Sequence, residues 1–229
     1  MKSKRQFIGL MFLICTLVFT GCASNRTNTS KELAPTPAEQ EKAALLKQLD
    51  RKFEDPEGHY NLGKLYQADG LWSQAEHEFT IALSFDPVHR PAQAARVKVL
   101  QDSGDKASSE FSADFYMNQA STTAESLLRL AMAFQKEMLD EYAMACYQQA
   151  LRLAPNSAKI HRQMGYYYLS RGDRARAQDY LTRSFQLDPK QPEVAGELGR
   201  LGVPVRIPRK TQNSTKKLDK IVEKSNKTN

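Results

Sequence analysis

FTIALSFDP (Phe79–Pro87), YQQALRLAP (Tyr147–Pro155) and LTRSFQLDP (Leu181–Pro189) are three versions of one segment. Each opens on a large apolar residue, carries a small residue (Ala82, Ala150, Ser184) three positions later, and closes on a proline. The last two prolines are 34 residues apart and the first two are 68 apart, twice that interval. A fixed period of this length marks a stack of helical hairpins, because one hairpin alone cannot bury its apolar side. The closing proline has no N–H to donate and its ring clashes with the preceding turn, so it ends the second helix of each unit.

The match extends outward from these segments. The first unit has Leu62, Gly63 and Tyr66 on its first helix, Gly70 at the turn, and Ala75, Phe79, Ala82 and Pro87 on and after its second. In the same places the third has Leu130, Ala131, Phe134, Met138, Ala143, Tyr147, Ala150 and Pro155, so only its turn residue departs. The fourth has Met164, Gly165, Tyr168, Gly172, Ala177, Leu181, Ser184 and Pro189. Small residues at Gly63, Ala131 and Gly165 let the two helices of a unit approach closely, and large apolar neighbours fill the groove beside them. Glycine at the turn tolerates a left-handed backbone. This pattern resembles the tetratricopeptide repeat (TPR) family, which implies an all-α solenoid of antiparallel helix pairs.

The periodic body spans 37–203, with repeats at about 56–89, 90–123, 124–157 and 158–191 and a capping helix at 192–203. Residues 90–123 fit poorly: RPAQAARVKVLQDSG reads as a first helix, but DKASSEFSADFYMNQAST lacks the small-aromatic-small order. They form either a degenerate repeat or a helix capping the first repeat. Thr36-Pro37-Ala38-Glu39 has capping-box spacing with proline at the first helical position, and opens a helix expected to run through Phe53.

The first 21 residues read as an address. Lys2, Lys4 and Arg5 precede an apolar run from Phe7 to Phe19, too short to span a bilayer comfortably and ordered in charge like a secretory signal. Phe19-Thr20-Gly21-Cys22 resembles the bacterial lipoprotein signal, which implies lipid on Cys22 as the first mature residue, with Phe19 where an aliphatic residue is usual. An ordinary signal cleaved at another small residue such as Ala23 is the alternative. Ala23, rather than aspartate, after the cysteine implies the outer membrane, with the protein facing the periplasm. Residues 22–36 carry the lipid and a polar tether, and 204–229 form a basic tail too polar to pack, expected to be disordered.

Charge follows this division. Of the net charge of +7, the first five residues supply +3 and the tail +6, leaving the body near neutral. That argues against nucleic acid, whose binding domains carry a basic stripe on a folded face. The tail is solvated, or it meets an anionic surface such as lipid headgroups.

The family resemblance implies a concave surface lined by the first helix of each unit. Its groove-facing positions are Tyr60, Lys64 and Gln67; Leu128, Met132 and Gln135; and Arg162, Tyr166 and Leu169. Tyr, Arg and Met supply large or adaptable contact area, but the same residues could be ordinary helix surface. His59 and His161 share one first-helix position and read as packing residues, Trp72 likewise, and no two histidines have metal-ligand spacing. Cys146 lies in a core-rich helix with no nearby cation in sequence to activate it. With no phosphate loop or nucleophile elbow, we expect no catalysis, metal or cofactor. Lipid signal and repeats together resemble outer-membrane TPR lipoproteins that assist type IV pilus assembly or recruit cell-wall hydrolases. The expected function is a periplasmic adaptor that binds envelope proteins or their peptide segments in its groove, assisting pilus or secretion complex assembly. A self-associating envelope scaffold is the alternative.

Overall fold

The structure, a computed structural model, describes residues 36–205. Ten α-helices make up this part, and no strand occurs among the described residues: α1 (Pro37–Arg51), α2 (Pro56–Ala68), α3 (Trp72–Phe85), α4 (Arg90–Asp102), α5 (Lys106–Ala120), α6 (Ala124–Lys136), α7 (Asp140–Leu153), α8 (Ala158–Ser170), α9 (Arg174–Leu187) and α10 (Pro192–Arg200). Consecutive helices pack as hairpins, tightest in α2–α3, α6–α7 and α8–α9, and the array forms an all-α solenoid. The expected signal at 1–21, the expected lipidation at Cys22 and nearly all of the expected tether at 22–36 fall outside the described residues, as does the expected tail from Arg206 onward.

Each tight hairpin is built on one close approach. Gly63 of α2 faces Phe79 of α3, and a Cβ at Gly63 would sit 2.6 Å from the Phe79 ring. Gly165 of α8 faces Leu181 of α9 in the same way, with 2.6 Å to the Leu181 side chain. Phe79, Tyr147 and Leu181 are all fully buried at this position, as is Ala131, the small residue of α6. The core divides into three adjoining clusters. One runs from Tyr60 to Val99 across α2–α4, the largest runs from Ala94 to Tyr167, and the last joins Leu181 of α9 to Val194 and Leu198 of α10.

Residues 90–123 hold a complete helix pair, α4 and α5. The reason its signature is faint is visible in the packing. At the close-approach positions this pair has Val97 on α4 and Ala113 on α5, both fully buried, so large and small have exchanged sides. Arg96 stands where the other units have Leu or Met. It donates to Tyr116 Oη (3.2 Å) and pairs with Glu76 (3.1 Å), and Tyr116 fills the place of the usual alanine. Ser109 donates to the Val97 carbonyl at 3.0 Å, satisfying a hydroxyl the core would otherwise strand.

The turns inside α2–α3, α6–α7 and α8–α9 share one geometry. In α2–α3 the Leu71 N–H reaches Tyr66 O (2.9 Å) across Gly70 at φ 73°, and in α8–α9 the Asp173 N–H reaches Tyr168 O (3.0 Å) across Gly172 at φ 74°. In α6–α7 the same bond, Leu139 N–H to Phe134 O (2.9 Å), forces Met138 to φ 60°. Helix α1 stops at Arg51, two residues before the expected Phe53, and Leu49 is its one buried residue.

Two outcomes follow from this packing. Gly165→Ala puts a methyl into the Leu181 side chain, an overpacking cost of about 1–3 kcal/mol that outweighs the roughly 0.5–1 kcal/mol of helix propensity gained. Its thermal midpoint, followed by circular dichroism, should fall by several degrees. Met138→Gly should move the midpoint the other way, by about 0.5–1 kcal/mol of added stability, since a left-handed non-glycine costs about 1–2 kcal/mol and Met138, 75% exposed, gives up little packing.

Candidate partner-binding groove

Four residues of α6, Arg129, Met132, Ala133 and Lys136, follow the i, i+3, i+4, i+7 spacing of a single helix face. Opposite them stands the loop and start of α4, from Asp86 to Pro91. Between the two lies an open groove of about 480 Å³. Its apolar floor is exposed, with Val88 at 54% and Met132 at 42%. Its rim is basic: Arg90, Arg129 and Lys136 against the one carboxylate of Asp86.

Local bonds fix the α4 wall. His89 caps the helix, its Nδ1 accepting from the Ala92 N–H at 3.1 Å, so Nε2 carries the proton and donates to Glu57 (2.9 Å). Arg90 donates to Gln93 (2.8 Å) and Gln119 (3.1 Å), and burial pulls its pKa below the usual arginine value. Two of its five donors are thereby engaged. On the other wall Arg129 shares Glu125 (3.0 Å) with Lys159 (2.8 Å), and the bonds from Lys159 and then Arg129 hold that carboxyl below its ordinary range. The Lys136 ammonium is unpaired among the described residues.

Of the nine positions expected to face the groove, Met132 stands on this wall. Two need correction. Leu128 is 1% exposed within the largest core cluster. Tyr60 is 6% exposed, its ring 6.0 Å from Phe79 and 5.2 Å from His89, and burial, then the charges of Glu137 and Glu57, push its pKa up to about 12. Both are covered because the helices of neighbouring units close over the position, leaving no area for a partner.

Lys64 and Gln67 are half-buried and tied internally. The Lys64 ammonium bonds Gln67 (2.6 Å) and both carboxylate oxygens of Glu137 (2.9 and 3.0 Å), linking α2 to the end of α6. Glu137 is only 7% exposed, so this pair holds a carboxylate that would otherwise be buried without compensation. Gln135 accepts from Tyr147 Oη (2.6 Å) and Arg162 donates to Gln191 (3.2 Å). Tyr166 and Leu169 pack half-buried on the Leu181–Val194–Leu198 cluster.

The groove residues that sequence reading missed are Val88, Arg90, Pro91, Arg129 and Lys136. Arg129 and Lys136 were within reach, one helical turn to either side of Met132. The α4 wall was not, because its unit lacks the family signature.

The other reactive groups are occupied by packing. His59 is 2% exposed and bonded at both nitrogens, to Glu78 (2.7 Å) and Phe53 O (2.8 Å). Trp72 packs half-buried on the first cluster. Cys146 is fully buried, and burial pushes its thiol up to about 12 despite the nearby Arg90, a cation 56 positions earlier in the sequence. Such a thiol is protonated and unreactive near neutral pH. Among the described residues, no three His, Cys, Asp or Glu side chains are placed to hold a metal ion, and no helix is long and apolar enough to cross a membrane.

Comparison with known proteins bears on the repeats. Residues 158–191 match the tetratricopeptide repeat family. Human tetratricopeptide repeat protein 6 is 30% identical over 138 residues, 59% of this chain, which spans a quarter of that relative's length. Among solved structures, PilF of Pseudomonas aeruginosa is 22% identical, covering 72% of this chain and 69% of its own at a TM-score of 0.36. YrrB, described as a TPR protein with an unusual peptide-binding site, is 18% identical over 71% of this chain and 84% of its own, TM-score 0.37. Residues 158–191 therefore match one tetratricopeptide repeat, and α2–α3 and α6–α7 keep its 34-residue period and its close approach.

Proposed function

We propose that this protein is a lipid-anchored periplasmic adaptor whose groove between α4 and α6 holds an acidic, apolar-anchored segment of another envelope protein. The observation that carries the reading is the groove itself. Val88 and Met132 offer exposed apolar area, and a methionine adapts its shape to what it meets. Arg90, Arg129 and Lys136 surround that floor and suit carboxylates. Long basic side chains around an apolar floor select a segment in which one or two large apolar residues sit beside aspartates or glutamates.

The anchoring half of the proposal is supported by the Phe19-Thr20-Gly21-Cys22 sequence alone. Acyl chains on Cys22 stabilise membrane attachment by about 0.8 kcal/mol per buried methylene. Fourteen tether residues, at up to about 3.3–3.6 Å each, would let the body reach tens of ångströms from the bilayer. An adaptor fixed by lipid and holding a client in its groove fits the assembly of an envelope, pilus or secretion complex, and no catalytic step is assigned to it.

A photo-crosslinking residue at Met132 should capture a distinct envelope protein. Lys136→Glu, on the exposed rim, should lower that capture about tenfold, the effect of losing roughly 1.4 kcal/mol at one contact. Adducts consisting solely of this chain would replace the adaptor with a self-associating scaffold. For the anchor, incorporation of a fatty-acid analogue should vanish in Cys22→Ser, and labelling that persists there would refute lipidation at that residue.

A further inference from the structure

His161 of α8 and His59 of α2 stand three 34-residue periods apart, at the same place in their hairpins. Each ring closes the loop before its helix through Nε2. His59 Nε2 lies 2.8 Å from Phe53 O, His161 Nε2 lies 2.9 Å from Pro155 O, and at the corresponding place of α4 the Gln93 amide donates to Pro87 O at 2.7 Å. The carbonyl accepts only, so in both histidines Nε2 carries the proton.

The other ring nitrogen is treated differently in the two hairpins. His59 Nδ1 meets the Glu78 carboxylate at 2.7 Å. His161 Nδ1 has no hydrogen-bond partner and no contact with solvent, on a residue that is 8% exposed. Three periods after Glu78 the chain has Tyr180, whose ring centre is 5.9 Å from the His161 ring and which stacks on Tyr168 at 5.4 Å and 13°. Buried polar atoms are rarely left unpaired, so this one asks for an explanation.

The surroundings supply it. His161, Tyr168 and Tyr180 border an open cavity of about 400 Å³ whose remaining walls are Arg176, Asp179 and Arg183. Arg183 is engaged by a neutral partner, Asn156 Oδ1, at 3.0 Å. Arg176 lies over the Tyr168 ring at 5.4 Å and 3.4 Å from Asp173. Two guanidiniums face one carboxylate there, and neither bonds to Asp179.

We propose that this cavity binds a carboxylate, which takes at His161 Nδ1 the place that Glu78 occupies at His59. Both guanidiniums steer the anion inward, and one of its oxygens accepts from Nδ1 while Arg176 or Arg183 donates to the other. A carboxylate oxygen cannot donate, so binding draws one proton from solvent onto Nδ1 and the ring becomes an imidazolium with both N–H groups engaged. Reaching Nδ1 requires the half-buried Tyr180 ring to turn aside, a side-chain motion that breaks its stack on Tyr168. The site lies on α8 and α9, apart from the α4–α6 groove, and does not depend on that groove's function.

Nitrogen-15 NMR of the histidines in the purified full chain tests this at fixed pH and ionic strength. Titration with sodium acetate should convert His161 saturably from the Nε2–H tautomer to the doubly protonated ring and shift the Tyr168 and Tyr180 ring signals, while sodium chloride should do neither. Tyr180→Glu, which rebuilds the His59–Glu78 pair, should show the doubly protonated ring without ligand and no further response to acetate. If that variant does not fold, Arg183→Gln on the exposed rim should weaken the acetate response about two- to fivefold, as expected for one partly solvated ion pair. A blocked tripeptide with a central glutamate separates the two sources of the group: tighter binding than acetate assigns a partner's acidic side chain, and equal binding assigns a small carboxylate. A His161 signal that ignores acetate, or answers chloride equally, overturns the proposal.

Discussion

Everything in this solenoid depends on two helices of a unit coming close enough for a large side chain on one to lie against bare backbone on the other. At Gly63 and Gly165 the gap left by the missing side chain is already filled by Phe79 and Leu181. Core packing at crystal-like density makes such a contact selective in both directions, since a methyl too many clashes and a methyl too few leaves a void. The same requirement is met with reversed parts in α4–α5, where Val97 meets Ala113. What recurs from unit to unit is a small residue set against a larger one, and the two helices are free to trade which supplies each.

Once the hairpins are fixed, the remaining polar groups must be satisfied at the joints between them. His59, Gln93 and His161 reach back to a carbonyl six residues earlier, pinning the loops before α2, α4 and α8 to the helices they precede. Gln191 performs a similar service at the end of the array, bonding Ser184 O (3.2 Å) and Asp188 O (2.9 Å) while accepting from Arg162. Lys64 and Glu137 tie units together across a longer interval in sequence. These bonds stabilise modestly one by one, but leaving any of the buried partners alone would cost more than the bond contributes.

The same ties decide where a partner has room. Positions on the first helices that a regular repeat would expose are consumed by them: Lys64 by Glu137, Gln135 by Tyr147, Arg162 by Gln191. Exposed apolar area beside basic side chains persists between α4 and α6, where the departure from the repeat pattern puts Val88, Pro91 and Arg90 opposite Met132. Function is read here from irregularity, since the regular units have spent their groove residues on themselves.

The 34-residue rhythm, the small-against-large pairs and the closing prolines were legible because they are local constraints, each set by residues within one hairpin. From them follow the all-α solenoid, the burial of Cys146 and the packing role of His59. The Met138 turn was legible too, as the one place where the turn residue departs, although only the backbone reveals that methionine accepts the left-handed conformation. Tertiary structure alone decided that Tyr60 and Leu128 are covered, that Arg90 lies near Cys146, and that His161 keeps an unpartnered nitrogen. Those facts depend on which side chains of other helices cover a given position, and a periodic pattern records the spacing inside a repeat without recording what its neighbours leave uncovered.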